Sequence, residues 1–345
     1  MERIGAAVIG IGRIGQVHLK NIVDCHHIDV LWIVDVEETR TKFNKLADLY
    51  NLKDTTFTTP DNIQTALADE RVTMVVICVP TAFHKEVILK SLRAGKHVFC
   101  EKPLCVTVDE VQECYDEAKI QQKILMCAFN RRFDKQFSQV YSLAKTGSFG
   151  KVRTVKMESR DNQVNLEYFA NNKGGIFIDM GIHDVDYISW LVGDEPEYCT
   201  AMGSHTSVLA EGFKSYGEYD TVMGMIKFKN GIIAHIDLNR VTCNGYQQTV
   251  TVLGTKQIAK VSDVRESQLE LTDEKGTHLY PYFLIDGFLD RYLESFAEEM
   301  NHFVRVLQGK EECLVTGESV VAATKLVYML TEALHTGQKV YYTKC

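Results

Sequence analysis

The chain has 345 residues, past the roughly 250–300 at which one hydrophobic core usually stops growing, so about two domains are expected. Its 45% hydrophobic and 24% charged residues, with only five prolines, exclude a largely disordered or low-complexity protein. The 38 Lys and Arg against 46 Asp and Glu leave a net charge of -8, which repels polyanions and argues against a nucleic-acid partner.

Ten cysteines are scattered without a CxxC pair or a zinc-type cluster, so they read as reduced thiols of a cytoplasmic protein. The first strand-like run begins at Ile4, which leaves no room for a signal peptide. No apolar run approaches the ~18 residues a membrane span needs, so no membrane partner is expected.

Short apolar, β-branched runs at Ile4 to Ile9, Val30 to Val34, Met74 to Val79, His97 to Cys100 and Ile124 to Cys127 alternate with helical patterns. That alternation predicts a doubly wound α/β Rossmann domain with a parallel sheet over residues 1–128. Beyond a helix ending near Gly147, longer strands are predicted at Val152 to Arg160, Tyr198 to His205, Thr221 to Lys229, Gly231 to Leu238, Thr249 to Leu253, Gln257 to Val261 and Gln268 to Thr272. They predict an α+β domain with a large, mostly antiparallel sheet over residues 129–345, closed by amphipathic helices at Phe288 to Leu307 and Gly317 to Thr336. Asn230-Gly231 signals a hairpin, and a two-residue loop would pair Lys227 with Ala234, Met225 with Ile236 and Met223 with Leu238. Both hairpin faces would then be largely apolar, one covered by helices and the other by a second subunit of a homo-oligomer, dimer or tetramer, the alternative being a monomer whose own helices cover both.

Gly10-Ile11-Gly12-Arg13-Ile14-Gly15 stands between the first strand and the first helix, where the three glycines allow a tight turn, phosphate approach and helix–strand packing. Asp35 ends the second strand 20 residues after Gly15, placed to accept from ribose hydroxyls, which favours NAD. A 2′-phosphate beside it would be repelled by roughly 4 kcal/mol or more before screening at an effective dielectric of about 20, softened by Arg13 and Arg40.

At the same sheet edge, Val79-Pro80-Thr81-Ala82-Phe83-His84 follows the fourth strand and Glu101-Lys102-Pro103 the fifth, which puts Lys102 where it can donate to a substrate oxygen. Farther on, Asp179 and His183 are four apart, so on a helix a carboxylate can orient an imidazole that acts as general base. A structural histidine, or a metal held by Asp179, His183 and Asp186, is the alternative reading of that spacing.

Together with Phe129-Asn130-Arg131-Arg132-Phe133-Asp134, these motifs resemble the glucose-fructose oxidoreductase/inositol dehydrogenase/rhizopine catabolism family, Gfo/Idh/MocA. The resemblance implies metal-free catalysis by Lys102, Asp179 and His183, with His183 taking a hydroxyl proton and Lys102 bonded to the reacting oxygen. It implies cofactor contacts from the Gly10, Gly12, Arg13, Ile14 and Gly15 turn, from Asp35, and from Pro80, Thr81, His84, Glu101 and Lys102. Within the family, Ser159-Arg160-Asp161, Gly174-Gly175-Ile176-Phe177 and Ile182-His183-Asp184 most resemble bacterial inositol 2-dehydrogenases, which implies that Arg131, Asp161 and Tyr246 face a polyol such as myo-inositol. The stretch Asn162-Gln163-Val164-Asn165-Leu166 departs from that subgroup, which usually carries prolines there. Other family sugar or trans-dihydrodiol dehydrogenases would use the same group, and a non-catalytic NAD(P)-sensing co-regulator is the alternative of another class.

Overall fold

The computed structural model describes residues 3–162, 166–167, 174–243, 245–263, 270–274, 276–279 and 287–343. Of the residues singled out above, Gln163, Val164, Asn165 and Gln268 lie outside the described residues.

One compact unit comprises Met1–Asp134 and Leu293–Thr324. Its strands β1 (Ile4–Ile9), β2 (Ile28–Val34), β3 (Thr56–Thr58), β4 (Val72–Ile77), β5 (His97–Cys100) and β6 (Leu125–Cys127) are parallel, in the order β3-β2-β1-β4-β5-β6. That is the doubly wound Rossmann order, with α1 (Arg13–Asp24), α2 (Arg40–Tyr50), α3 (Ile63–Ala68), α4 (His84–Arg93) and α5 (Val108–Ile120) between strands. Met74, Val75, Val76 and Ile77 are fully buried because helices cover both faces of a parallel sheet, each side chain contributing about 1.5–3 kcal/mol of burial. Strand β3 has only three residues, two of them threonine, too few to print a pattern in the sequence.

The first unit extends to Asp134 rather than 128 and takes back a segment from the C-terminal helices. Phe303 packs against Phe99 with ring centroids 5.7 Å apart, and Arg132 Nη1 donates to the Leu314 carbonyl at 2.8 Å. Amphipathicity says that a helix covers a sheet; it does not say which one.

The other unit comprises Lys135–Tyr292 and Lys325–Cys345. Here β7 (Val152–Arg160), β8 (Pro196–Ser204), β9 (Thr221–Phe228), β10 (Ile233–Asn239), β11 (Gln247–Gly254) and β12 (Ile258–Val261) form a sheet with the short β15 (Val340–Tyr341), in the order β12-β11-β7-β10-β9-β8-β15. All neighbours are antiparallel except β7 and β10, which run parallel. Strands β13 (Glu270–Asp273) and β14 (Gly276–Leu279) pair separately. The remaining helices are α6 (Lys135–Lys145), α7 (Ile182–Val192), α8 (Ala210–Ser215), α9 (Phe288–Leu307) and α10 (Gly317–Thr336).

The β9-β10 register corrects the expected one. Gly231 N–H donates to the Phe228 carbonyl and Phe228 N–H to the Ile232 carbonyl, so the loop has three residues, Lys229 to Gly231, with Gly231 at φ 92°. This is a turn closed by a left-handed glycine rather than a two-residue turn. Lys227 therefore faces Ile233, Ile226 faces Ala234 and Val222 faces Leu238. A one-residue slip moves every side chain to the opposite face. Val222, Ile226, Phe228, Ala234, Ile236 and Leu238 now share one buried face, on which Leu330 of α10 packs beside Gly224. The open face carries Met223, Met225 and Ile233 among Lys156, Glu158, Lys227 and Asp237, so it is mixed rather than largely apolar. The described cysteines are all free, and among the described residues no helix is long and apolar enough to cross a membrane.

Candidate active site

In the first unit the expected nucleotide residues meet at the C-terminal edge of the sheet. Gly10 N–H donates to the Val34 carbonyl, Cys78 N–H to Ile9 and Glu101 N–H to Ile77, so the turns after β1, β4 and β5 are anchored on neighbouring strands. Gly10 has φ 92°, and a Cβ there would stand 2.7 Å from the Cys78 carbonyl oxygen. A Cβ at Gly15 would lie 2.0 Å from the Gly10 oxygen, whereas at Gly12 it would meet nothing within 4 Å. The first and last glycines are thus required by the protein itself, and the middle one leaves open space at the N-terminus of α1. Arg13 and Ile14 form the first turn of that helix, which has no acidic residue, so its N–H groups present a positive end to a phosphate. The residues present fit a dinucleotide.

Asp35 lies at this turn. Its Oδ2 accepts from Ile11 N–H at 2.7 Å and its Oδ1 from Val36 N–H at 2.7 Å. Arg40, expected to soften repulsion of a 2′-phosphate, is instead bonded to Glu37 (Nη2–Oε2 2.9 Å) and lies over the Phe57 ring.

Pro80 precedes a single 3-10 turn, Thr81–Phe83, that leads into His84. The His84 ring is buried, with Nε2 2.8 Å from the Val79 carbonyl and Nδ1 3.0 Å from that of Pro103. Burial, outweighing those carbonyls, holds its pKa below the usual histidine value. His84 therefore braces the turn after β4 against the Glu101-Lys102-Pro103 turn.

Glu101 accepts from Lys102 N–H at 3.1 Å and pairs through Oε1 with Nε2 of His18, 2.8 Å away. His18 is 0% exposed and sits edge-on to Phe99 and Phe296. Sequence reasoning missed it, although His18 shares the buried stripe of α1 with Gly15, Leu19 and Ile22 at helical spacing. Lys102 itself is half-buried beside this pair, and Arg131 is buried in the 3-10 turn Asn130–Phe133 after β6.

In the second unit Asp179 lies in a π turn, Phe177–Gly181, which passes at Ile182 into α7, where His183 is the second residue. The expected single α-helix is thus widened at Asp179; such π turns are rare and recur at functional sites. Arg240 follows β10, and its Nη1 donates to Asp179 Oδ2 at 2.7 Å. Asp161 N–H donates to the Asn239 carbonyl at 2.8 Å, and Tyr246 precedes Gln247, which faces Arg160. The ends of β7, β10 and β11 thus bring Asp161, Arg240 and Tyr246 to one end of the sheet, and Arg240 reaches Asp179 there. Tyr246 is set edge-on to Tyr292, ring centroids 6.3 Å apart.

Arg240 and Glu218 were not foreseen. Arg240 continues the alternation of buried Ala234, Ile236 and Leu238, and a charge in phase with a buried face is the signal that could have found it. Among the described residues no group of three or more His, Cys, Asp or Glu is placed to hold a metal ion.

Residues 4–129 match an oxidoreductase family with an NAD-binding Rossmann fold, GFO_IDH_MocA, and residues 137–260 match the GFO/IDH/MocA C-terminal domain. A myo-inositol 2-dehydrogenase of Thermotoga maritima is 34% identical over 96% of this chain and 96% of its own length. An inositol 2-dehydrogenase of Rhizobium meliloti is 32% identical, covering 92% and 93%. A Thermotoga maritima crystal structure superposes with TM-score 0.89 at 32% identity, covering 98% of this chain and 99% of that one. The glycine turn, the Rossmann strand order and these matches agree: the chain belongs to the Gfo/Idh/MocA oxidoreductase family, and its cofactor is NAD.

Proposed function

We propose that this enzyme oxidises a secondary hydroxyl of a cyclic polyol, myo-inositol at its 2-position, with Lys102, Asp179 and His183 as the catalytic group. The observation that carries the reading is the gathering of Asp161, Asp179 and Tyr246 at one end of the second sheet, a cluster of donors and acceptors suited to vicinal hydroxyls. The names of the Thermotoga maritima and Rhizobium meliloti relatives support it.

When bound, NAD supplies the acceptor for the hydride that leaves the carbinol carbon. His183 takes the hydroxyl proton, and the carbinol carbon and oxygen are left as a carbonyl. Asp179 orients the imidazole and stabilises it once charged. Lys102 donates to the oxygen as negative charge gathers on it. On the cofactor side, the Gly10, Gly12 and Gly15 turn with Arg13 and Ile14 receives the pyrophosphate. Asp35 meets the ribose hydroxyls there. Pro80, Thr81 and Glu101 shape the nicotinamide end, with His84 behind them. Arg131, Asp161 and Tyr246 hold the polyol. Free cysteines throughout the described residues support a cytoplasmic setting. The exposed Met202, Met223 and Met225 of the open sheet face support a homo-oligomer, dimer or tetramer, through that face.

The test is absorbance at the NADH band with purified protein, NAD or NADP, and a panel of inositols, sugars and diols. NAD-dependent turnover fastest with myo-inositol is expected; turnover confined to sugars or diols overturns the substrate.

A further inference from the structure

Arg240 has no part in the catalytic group proposed above, yet it is tied directly to one of its members. Its side chain is 5% exposed, and it stands between two carboxylates, Asp179 Oδ2 at 2.7 Å from Nη1 and Glu218 Oε2 at 3.7 Å from Nη2. Glu218 is buried as well and also accepts a hydrogen bond from the backbone N–H of Gly175, just ahead of the π turn. We infer that Arg240, backed by Glu218, is a positioning residue that clamps Asp179 in the π turn and keeps its carboxylate aimed at His183. This rests on the roles proposed above for Asp179 and His183.

Three physical points carry the inference. First, a π turn is a rare departure from the regular i→i−4 ladder that recurs at functional sites, and here it carries Asp179. Arg240 holds it at its central residue, Asp179, 61 residues back along the chain, and Glu218 holds the approach to it at Gly175. Second, two neighbouring carboxylates oppose each other's ionisation, and a guanidinium between them favours the charged form of both. Consistent with this, burial raises the Glu218 pKa, Asp179 adds to the rise, and Arg240 opposes it. Third, the backbone N–H of Arg240 donates to the Asp220 carbonyl at 2.9 Å, which fixes where the guanidinium starts. A buried guanidinium is a costly way to stabilise a fold, because apolar replacement of buried ion pairs is often neutral or stabilising. Its placement on the carboxylate that orients the general base points to a catalytic reason.

The experiment compares Arg240→Met, Arg240→Lys, Asp179→Asn and the Arg240→Met/Asp179→Asn double variant in thermal unfolding, NAD affinity by fluorescence, and turnover. The clamp predicts that the second substitution costs much less Tm once the first is made; additive Tm losses overturn it. It also predicts that Arg240→Met lowers kcat by about 10- to 100-fold while NAD Kd stays within about twofold, with part of kcat regained in Arg240→Lys. Wild-type kcat in Arg240→Met, with the wild type active on the panel, overturns the positioning role and leaves the polyol reading intact. Should the wild type turn over no polyol, the polyol reading fails while the Tm cycle still decides the clamp. Arg240→Lys keeps the test decisive if Arg240→Met does not fold.

Discussion

The two regions that carry chemistry both place a carboxylate and then hold it, but by different means. In the nucleotide region the holding is done largely by backbone: Asp35 by Ile11 N–H, Glu101 by Lys102 N–H, and the turn itself by Gly10 and Gly15. The buried rings of His18 and His84 add side-chain contacts to it. In the second unit Asp179 is held by the side chain of Arg240, which is in turn flanked by Glu218. A backbone cradle suits a cofactor whose phosphates look the same in every turnover. A charged side-chain clamp suits a group whose partner must gain and lose a proton. The first kind of site is sensitive to a Cβ added at Gly10 or Gly15, and the second is expected to be sensitive to a lost charge.

The largest expected effect lies in the charge-sensitive site. His183→Gln should lower kcat by about 10²- to 10⁴-fold with NAD affinity unchanged, since it removes the proposed general base and leaves the cradle alone. Lys102→Ala should cost about a hundredfold or more in kcat, the usual loss for one donor to a developing oxyanion. Wild-type turnover in either variant would remove that residue from the catalytic group.

The glycines separate the two kinds of constraint within one turn. Gly15→Ala forces a Cβ to within 2.0 Å of the Gly10 oxygen, so a loss of about 1–3 kcal/mol in stability is expected from denaturant unfolding. Gly12→Ala meets nothing within 4 Å, so its stability should match the wild type while its NAD Kd rises. Equal stability losses in the two variants would refute the open space at Gly12, and an unchanged NAD Kd in Gly12→Ala would refute its use by the cofactor.

The smallest effect concerns pH. Burial, with Lys123 adding to it, lowers the pKa of His97 to about 4, and its Nδ1 accepts from Ile124 N–H at 3.1 Å. The folded state therefore keeps this imidazole neutral where the unfolded chain binds a proton, so the unfolded state holds more protons between about pH 6.5 and 4. The contribution of His97 is present above about pH 6.5 and is lost as pH falls toward 4. His97→Asn should flatten that part of the Tm-against-pH curve, and an unchanged slope would clear His97.

Much of the first unit was legible because its signals are local. β1, β5 and both C-terminal helices lie at the bounds read from periodicity, and the fingerprint stands where strand meets helix. The hairpin register was not, since one turn residue decides between a two- and a three-residue loop and so decides which face every side chain takes. His18 and Arg240 were passed over because each looks like an ordinary polar residue until a partner 83 or 61 residues away is known.

By itself, then, the sequence determined the class of each domain and the glycine turn, because these depend on backbone preference and spacing along the chain. Only the tertiary structure decided the return of Leu293–Thr324 to the first unit, the register of the second sheet and the pairing of Arg240 with Asp179. Those depend on packing and charge between residues far apart in sequence, where many pairings have equal local merit and burial selects one.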